Sequence, residues 1–132
     1  MDGKMPDQRT ARIRLTVGEA DTASSMRSGD VPVLATPRVI ALCEEAACAA
    51  VAGTLDPGTT SVGTWIEVEH LAPTPIGASV VAVATLTRAD GRRLEFDLTV
   101  SEGDAMVARG HHRRQVVDRA RFLERPGRHR GT

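Results

Sequence analysis

Apolar residues at Ala11, Ile13, Leu15 and Val17 alternate with Arg12, Arg14 and Thr16, the two-residue period of a half-buried strand. Residues 1–8 ahead of it are polar and read as a flexible tail. After Val17 the period vanishes, and 18–35, with its run of small and polar residues, reads as a long loop or lid holding at most one helical turn. A connection of that length is uncommon in a compact domain unless it serves a purpose.

Thr36-Pro37 predicts a helix start, with the threonine hydroxyl as N-cap and proline at the first helical position, and Gly53 predicts its end. From Val39 to Ala52 every residue is apolar or small except Glu44 and Glu45, which predicts a helix buried nearly all round. Its alanines leave room for close packing, as against a curved sheet. Strands are then expected over Thr60–Leu71, closed by Pro73, Pro75 and Gly77, and over Ser79–Thr87, Leu94–Val100 and Ala105–Val117. Asp90-Gly91 between two of them is a strong hairpin signal, and the last four strands are expected to form an antiparallel meander. From Asp118 onward the chain is arginine-rich, with a short helix near Phe122. The domain is therefore set at 9–123 and a flexible basic tail at 124–132. One antiparallel sheet of about five strands around one long helix is an α+β layer arrangement, the pattern of the hotdog fold.

Composition narrows the function classes. The 132 residues are one domain's worth, and 41% hydrophobic with 26% charged residues is the balance of a chain that folds. Seventeen basic residues offset 17 acidic ones, so no net field draws nucleic acid or an anionic membrane. With only Trp65, Phe96 and Phe122 as aromatics, base-stacking platforms are scarce. Neither a signal peptide nor a run of ~20 apolar residues is evident, which points to the cytoplasm. Cys43 and Cys48, if on one helix, face ~140° apart and cannot easily bridge, in keeping with a reducing compartment.

Metal chemistry finds little footing. His111 and His112 are adjacent on an expected strand and point to opposite faces, and no His-Glu-x-x-His or paired Cys-x-x-Cys occurs. Gly58 and Gly63 form no nucleotide fingerprint. Glu44 carries more interest, because an unpaired carboxylate in an apolar helix costs several kcal/mol and needs a partner, water or a shifted pKa. Glu45 faces ~100° away and competes for that role, and the plain alternative leaves both on an exposed helix edge. His70, before the Pro73-Thr74-Pro75 kink, has the ordinary pKa for proton transfer, although a lone histidine is more often structural. Thr36 has a complete explanation as an N-cap. Gly63 fits either a strand bulge or close approach by a ligand, and Arg114 either a solvated edge or a phosphate site.

Taken together, the residues resemble the fluoroacetyl-CoA thioesterase family of hotdog proteins. Ala35-Thr36 through Leu42, Glu44 and Ala47-Cys48 is similar to the family's Thr-to-Glu helix, with the same eight-residue interval. Leu55-x-Pro57-Gly58, Gly63-Thr64, His70 with Ala72-x-Thr74-Pro75-x-Gly77, Gly91-Arg92-Arg93-Leu94 and Gly110-x-His112-x-Arg114 follow in order. The resemblance spans roughly residues 30–123. It implies Thr36, Glu44 and His70 as the catalytic set and Gly63 and Arg114 as substrate-contacting, with Glu44 as nucleophile or water-activating base. It also implies hydrolysis of a short or modified acyl-CoA to free acid and CoA, no cofactor beyond the substrate's own CoA, and a homodimer. Arg27 and Asp30 stand where the family carries phenylalanines in its lid, and Glu45 where it carries a tryptophan, which implies little preference for a fluorinated acyl group. Two other readings share the pocket: a non-catalytic acyl-CoA-binding or sensing module, and a hydratase acting on an enoyl or hydroxyacyl thioester.

Overall fold

A computed structural model describes residues 9–130. Strand β1 (Thr10–Thr16) leads through a 3-10 turn (Glu19–Asp21) and a one-turn helix α1 (Ala23–Met26) into the long helix α2 (Thr36–Ala50). Strands β2 (Thr59–His70), β3 (Ser79–Asp90), β4 (Arg93–Glu102) and β5 (Ala105–Asp118) follow, and helix α3 (Arg119–Arg130) ends the described chain. All five strands lie in one antiparallel sheet in the order β1-β3-β4-β5-β2. This is the α+β hotdog arrangement expected from the alternation pattern, with strand ends within a few residues of their expected places.

The pairing order corrects one expectation. Only β3, β4 and β5 form a meander, their hairpins turned at Gly91 and Gly103, both at positive φ where glycine is unstrained. Strand β2 sits at the far edge beside β5, so the chain must cross from one side of the sheet to the other before β3 begins. The reason lies in the connection: with Pro73 and Pro75 in it, no tight hairpin closes. Instead Thr74 accepts a hydrogen bond from the Leu34 amide at 2.8 Å, and Val33 bridges Pro75. The crossing segment is thus tied to the loop before α2.

Helix α2 buries one face, Val39, Leu42, Cys43, Ala46, Ala47 and Ala50, while Ala41, Glu45, Cys48 and Ala49 are exposed. It is not buried nearly all round, because a single sheet covers a single side. Against that face lie Val80, Ala82 and Ala84 of β3 and Phe96, Leu98 and Val100 of β4, all 2% exposed or less. The helix ends at Ala50 with Val51 as its C-cap, two residues short of the expected Ala52.

The loop 18–35 is more ordered than a lid of small polar residues would imply. The Thr22 hydroxyl caps α1 by accepting from the Ser25 amide at 3.2 Å and donates to the Glu19 carbonyl at 2.8 Å. Arg38 of α2 pairs with Asp21 at 2.9 Å, and Asp21 has its pKa lowered, chiefly by the Gly18 amide and also by Arg38, against the cost of burial. The expected short helix near Phe122 extends from Arg119 to Arg130, into the segment expected as a tail from 124. The tail 1–8 lies outside the described residues. No helix among the described residues is long and apolar enough to cross a membrane.

Leu42, 1% exposed at the centre of the helix–sheet contact, reports on this packing. Leu42→Ala should lower unfolding stability by about 2–5 kcal/mol, read as a shifted denaturant midpoint at constant slope. A loss under about 1 kcal/mol would mean that the α2–sheet contact is not the main core.

Candidate active site

Ala35, in extended conformation, is the N-cap of α2, and Thr36 is the first helical residue. The threonine hydroxyl therefore does not cap the helix. It turns away to His70, with Oγ1 2.8 Å from Nδ1. That corrects the N-cap expectation and supplies the partner His70 lacked. The His70 Nε2 atom is buried without a hydrogen-bond partner among the described residues. Burial holds the pKa of His70 below the usual histidine value, with the Ala72 backbone opposing. A shallow cavity of about 300 Å³ opens beside this pair, walled by Ala23, Ser28, Gly29 and Val31 of the loop.

Glu44 lies two turns further along the same helix. Its side chain is 41% exposed, so it sits at the rim of the buried face rather than inside it, and Glu45 is turned outward. Its partner is Arg114, whose Nη1 lies 3.9 Å from Glu44 Oε2. Arg114 was expected in a solvated run, poised for phosphates, yet it is 7% exposed. Its Nε donates to Ser61 Oγ at 2.8 Å, Nη2 to the Ser61 carbonyl at 3.0 Å, and Nη1 lies 3.1 Å from His112 Nε2. A guanidinium so committed is the counter-ion of Glu44 and has little left for a nucleotide phosphate.

Gly63 explains why these groups can converge. A Cβ built there would lie 2.8 Å from Glu44 Oε2, 3.3 Å from His112 Cε1 and 3.4 Å from Arg114 Nη1, so only glycine leaves that space open. The strand-bulge reading of Gly63 holds, because the β2–β5 register slips between Gly63 and Trp65, leaving Thr64 as an extra residue. His112, excluded as a metal ligand, enters the sequence reading otherwise only as part of Gly110-x-His112-x-Arg114 and is given no role there. It is 1% exposed and its ring packs on Phe96 with centroids 5.9 Å apart. The signal that would have found it is the strand period: His112 and Arg114 share the inward face of β5, two polar side chains where apolar ones belong. Among the described residues no group of three His, Cys, Asp or Glu side chains is placed to hold a metal ion.

The structure thus gathers the expected residues into two clusters, Thr36 with His70 and Glu44 with Gly63 and Arg114. It does not join them within one chain. Thr36 and Glu44 are eight residues apart on one unbroken helix, a rise of ~12 Å.

Fold and site together define a thioesterase-type hotdog domain, and comparison with known proteins narrows the class. The family model for the fluoroacetyl-CoA-specific thioesterase FlK matches residues 17–120, and the chain belongs to that family. It is 38% identical over 90 residues to the fluoroacetyl-CoA thioesterase of Streptantibioticus cattleyicolor, a match covering 68% of this chain and 65% of that protein. A solved structure of FlK superposes with a TM-score of 0.85 at 28% identity, covering 96% of this chain and 98% of that one. A variant of FlK in complex with fluoroacetate and CoA gives 0.80 at 30% identity over 89% and 99%. A hot-dog-like protein from Thermanaerovibrio acidaminovorans shares the fold at 0.85 and 24% identity, over 94% and 92%.

Burial lowers the pKa of both His70 and His112; for His112, the Trp65 backbone and Glu44 oppose it while Arg114 adds to it. Each therefore binds a proton less readily folded than unfolded, so stability is greatest above the unfolded value of about 6.5 and is lost as pH falls below it. The thermal unfolding midpoint should fall between about pH 7 and pH 5. A midpoint that rises or stays level across that window contradicts the depressed histidines.

Proposed function

We propose that the protein is an acyl-CoA thioesterase, hydrolysing a short or modified acyl-CoA to the free acid and CoA. The observation that carries this reading is the solvent-reaching Glu44 carboxylate held beside Arg114 over the Cβ-free surface of Gly63. A carboxylate in that position can attack the thioester carbonyl carbon or take a proton from an attacking water. Backbone N–H groups near Gly63 or at the N-terminus of α2 would stabilise the oxyanion. The C–S bond then breaks, and the departing CoA thiolate takes a proton delivered through His70, whose ring is oriented by the Thr36 hydroxyl. Where Glu44 acts as nucleophile, water hydrolyses the resulting anhydride and frees it. No organic cofactor is called on, and Gly63 contacts the acyl group through its backbone. Arg114 acts on the carboxylate and not on the nucleotide phosphates. A cytoplasmic setting suits the two free cysteines, Cys43 and Cys48.

Glu44→Ala should lower kcat for thiol release, across a panel of acyl-CoAs, by at least ~100-fold, the scale of a lost nucleophile or base. Glu45→Ala should stay near wild type. Wild-type turnover in a folded Glu44→Ala protein would remove Glu44 from the chemistry.

The working unit we propose is a homodimer in which the β2 edges of two copies pair antiparallel. Placing Gly63 of one strand opposite residue 70 of the other puts the two-fold axis between 66 and 67. The Thr36–His70 pair of one copy then approaches Glu44 of the partner subunit. Mixed Thr36→Ala and Glu44→Ala proteins should recover activity once subunit exchange is confirmed by mass, because some heterodimers carry one intact composite site. Exchange without recovery above either variant alone rejects the shared site.

A further inference from the structure

The geometry points to His112 as the positioning residue that fixes the Arg114 guanidinium against Glu44. The inference rests on the thioesterase reading for its catalytic consequence and on the contacts themselves for its structural one. His112 Nδ1 lies 2.8 Å from the Trp65 carbonyl oxygen. A carbonyl only accepts, so the ring proton sits on Nδ1, and the opposite nitrogen, Nε2, carries a lone pair. That lone pair faces Arg114 Nη1 at 3.1 Å and accepts from it. The tautomer is thus dictated at one end of the ring and used at the other.

Count the guanidinium donors and the purpose of this arrangement becomes plain. Nε and Nη2 are fixed by Ser61 alone, on β2, which holds one edge of the planar group. Nη1 is the atom next to Glu44 Oε2, and without His112 nothing else among the described residues would hold it. A two-point attachment to one residue leaves the plane free to tip about that edge. The third point, across on β5, stops it. The Thr64 bulge has a part in this, because the register slip there is next to the residue whose carbonyl sets the tautomer. Phe96, on the neighbouring strand, limits the ring on its remaining side.

His112 touches no substrate in this scheme; it acts through Arg114. Three variants separate that role from simple core filling. His112→Phe keeps the ring volume and removes the acceptor. It should lower kcat for thiol release by about 10- to 100-fold, the scale of a misplacement near 1 Å at a reacting group, with KM nearly unchanged. His112→Gln, which can present an amide oxygen to Nη1, should restore most of the loss. In an Arg114→Met background, where volume is kept, His112→Phe should cost less than about a further twofold, because the two residues act as one unit. Independently of turnover, nitrogen NMR of the wild-type protein should show Nδ1 protonated and Nε2 unprotonated, with the Nε2 resonance moving in Arg114→Met. Losses that add in the double variant, with rescue by Gln absent, overturn the positioning role in an enzyme that turns over. A proton on Nε2 overturns the contact whatever the activity. A wild-type protein that shows this tautomer but releases no thiol from any acyl-CoA overturns the thioesterase reading and, with it, the catalytic purpose assigned to His112.

Discussion

The packing of α2 on the sheet is the constraint on which the site depends, because Glu44 stands at the rim of the buried helix face and Arg114 on the inward face of β5. Ala46, Ala47 and Ala50 on the helix meet Ala82 and Ala84 on β3, all but Ala50 with no exposed surface. Within β3 the two alanines stand between Val80 and Leu86 on the inward face, while Val81 and Val83 are only half-buried. Larger side chains on both surfaces would hold the layers apart at the ordinary packing distance, and interiors tolerate neither the overlap nor the void. Close approach brings the rim of the helix, where Glu44 stands, within reach of the inward face of β5. The carboxylate and the guanidinium meet at the rim of that core, 3.9 Å apart.

Arg114 is the costly residue in this arrangement. A cation withdrawn from water is stabilised only if its donors are satisfied, and breaking one partner of such a group is expensive. Here Ser61 takes two of those donors and His112 a third, so the group is held by neutral acceptors before Glu44 is considered. Glu44 can then remain partly in water, at 41% exposure, instead of being sealed in an ion pair. The opposite arrangement, a buried Glu44 with an exposed Arg114, is one that the apolar helix and the basic segment leave open in the sequence. Physical economy favours the version observed, because guanidinium is more weakly hydrated and more readily satisfied by planar acceptors.

Much of this was legible in the chain. Strict alternation at Ala11–Val17 and Leu94–Val100, and the Asp90-Gly91 turn, located strands to within a few residues because those signals are local. The order of strands was not local: nothing between Thr60 and Thr87 says that β2 leaves its neighbour to pair with β5, apart from the two prolines of the connection. Helix burial was overread for a related reason, since apolar content reports how much of a surface avoids water and not which layer covers it. At the site, Glu44 and His70 stood out by residue type and spacing, and Thr36 and Arg114 by the family resemblance, whereas which of them pairs with which was not legible. Thr36 already had a local role to fill, and a hydroxyl one helical position away from its expected place makes a different bond altogether. Arg114 was singled out by its place in Gly110-x-His112-x-Arg114, and only the alternation of β5 shows that it lies inside.

The two sheet edges are unlike, and the difference bears on why one helix carries two half-sites. Strand β1 spans seven residues and puts Arg12 and Arg14 outward, the length and charge that discourage pairing with another chain. Strand β2 spans 12 residues, and its exposed side chains are already paired laterally, Glu69 with Arg109 at 2.9 Å and Trp65 under the Arg113 guanidinium at 4.4 Å. Those contacts lie on the outer face and leave the edge itself unblocked. A rigid helix keeps Thr36 and Glu44 ~12 Å apart in any single copy, so bending the chain to unite them would cost helical hydrogen bonds. Pairing the long edge with its own copy unites complementary halves with no change in either helix. In the proposed dimer the stiffness of α2 and the openness of β2 answer each other: the first keeps the two clusters apart in one chain, and the second is the edge on which a symmetric partner would bring them together.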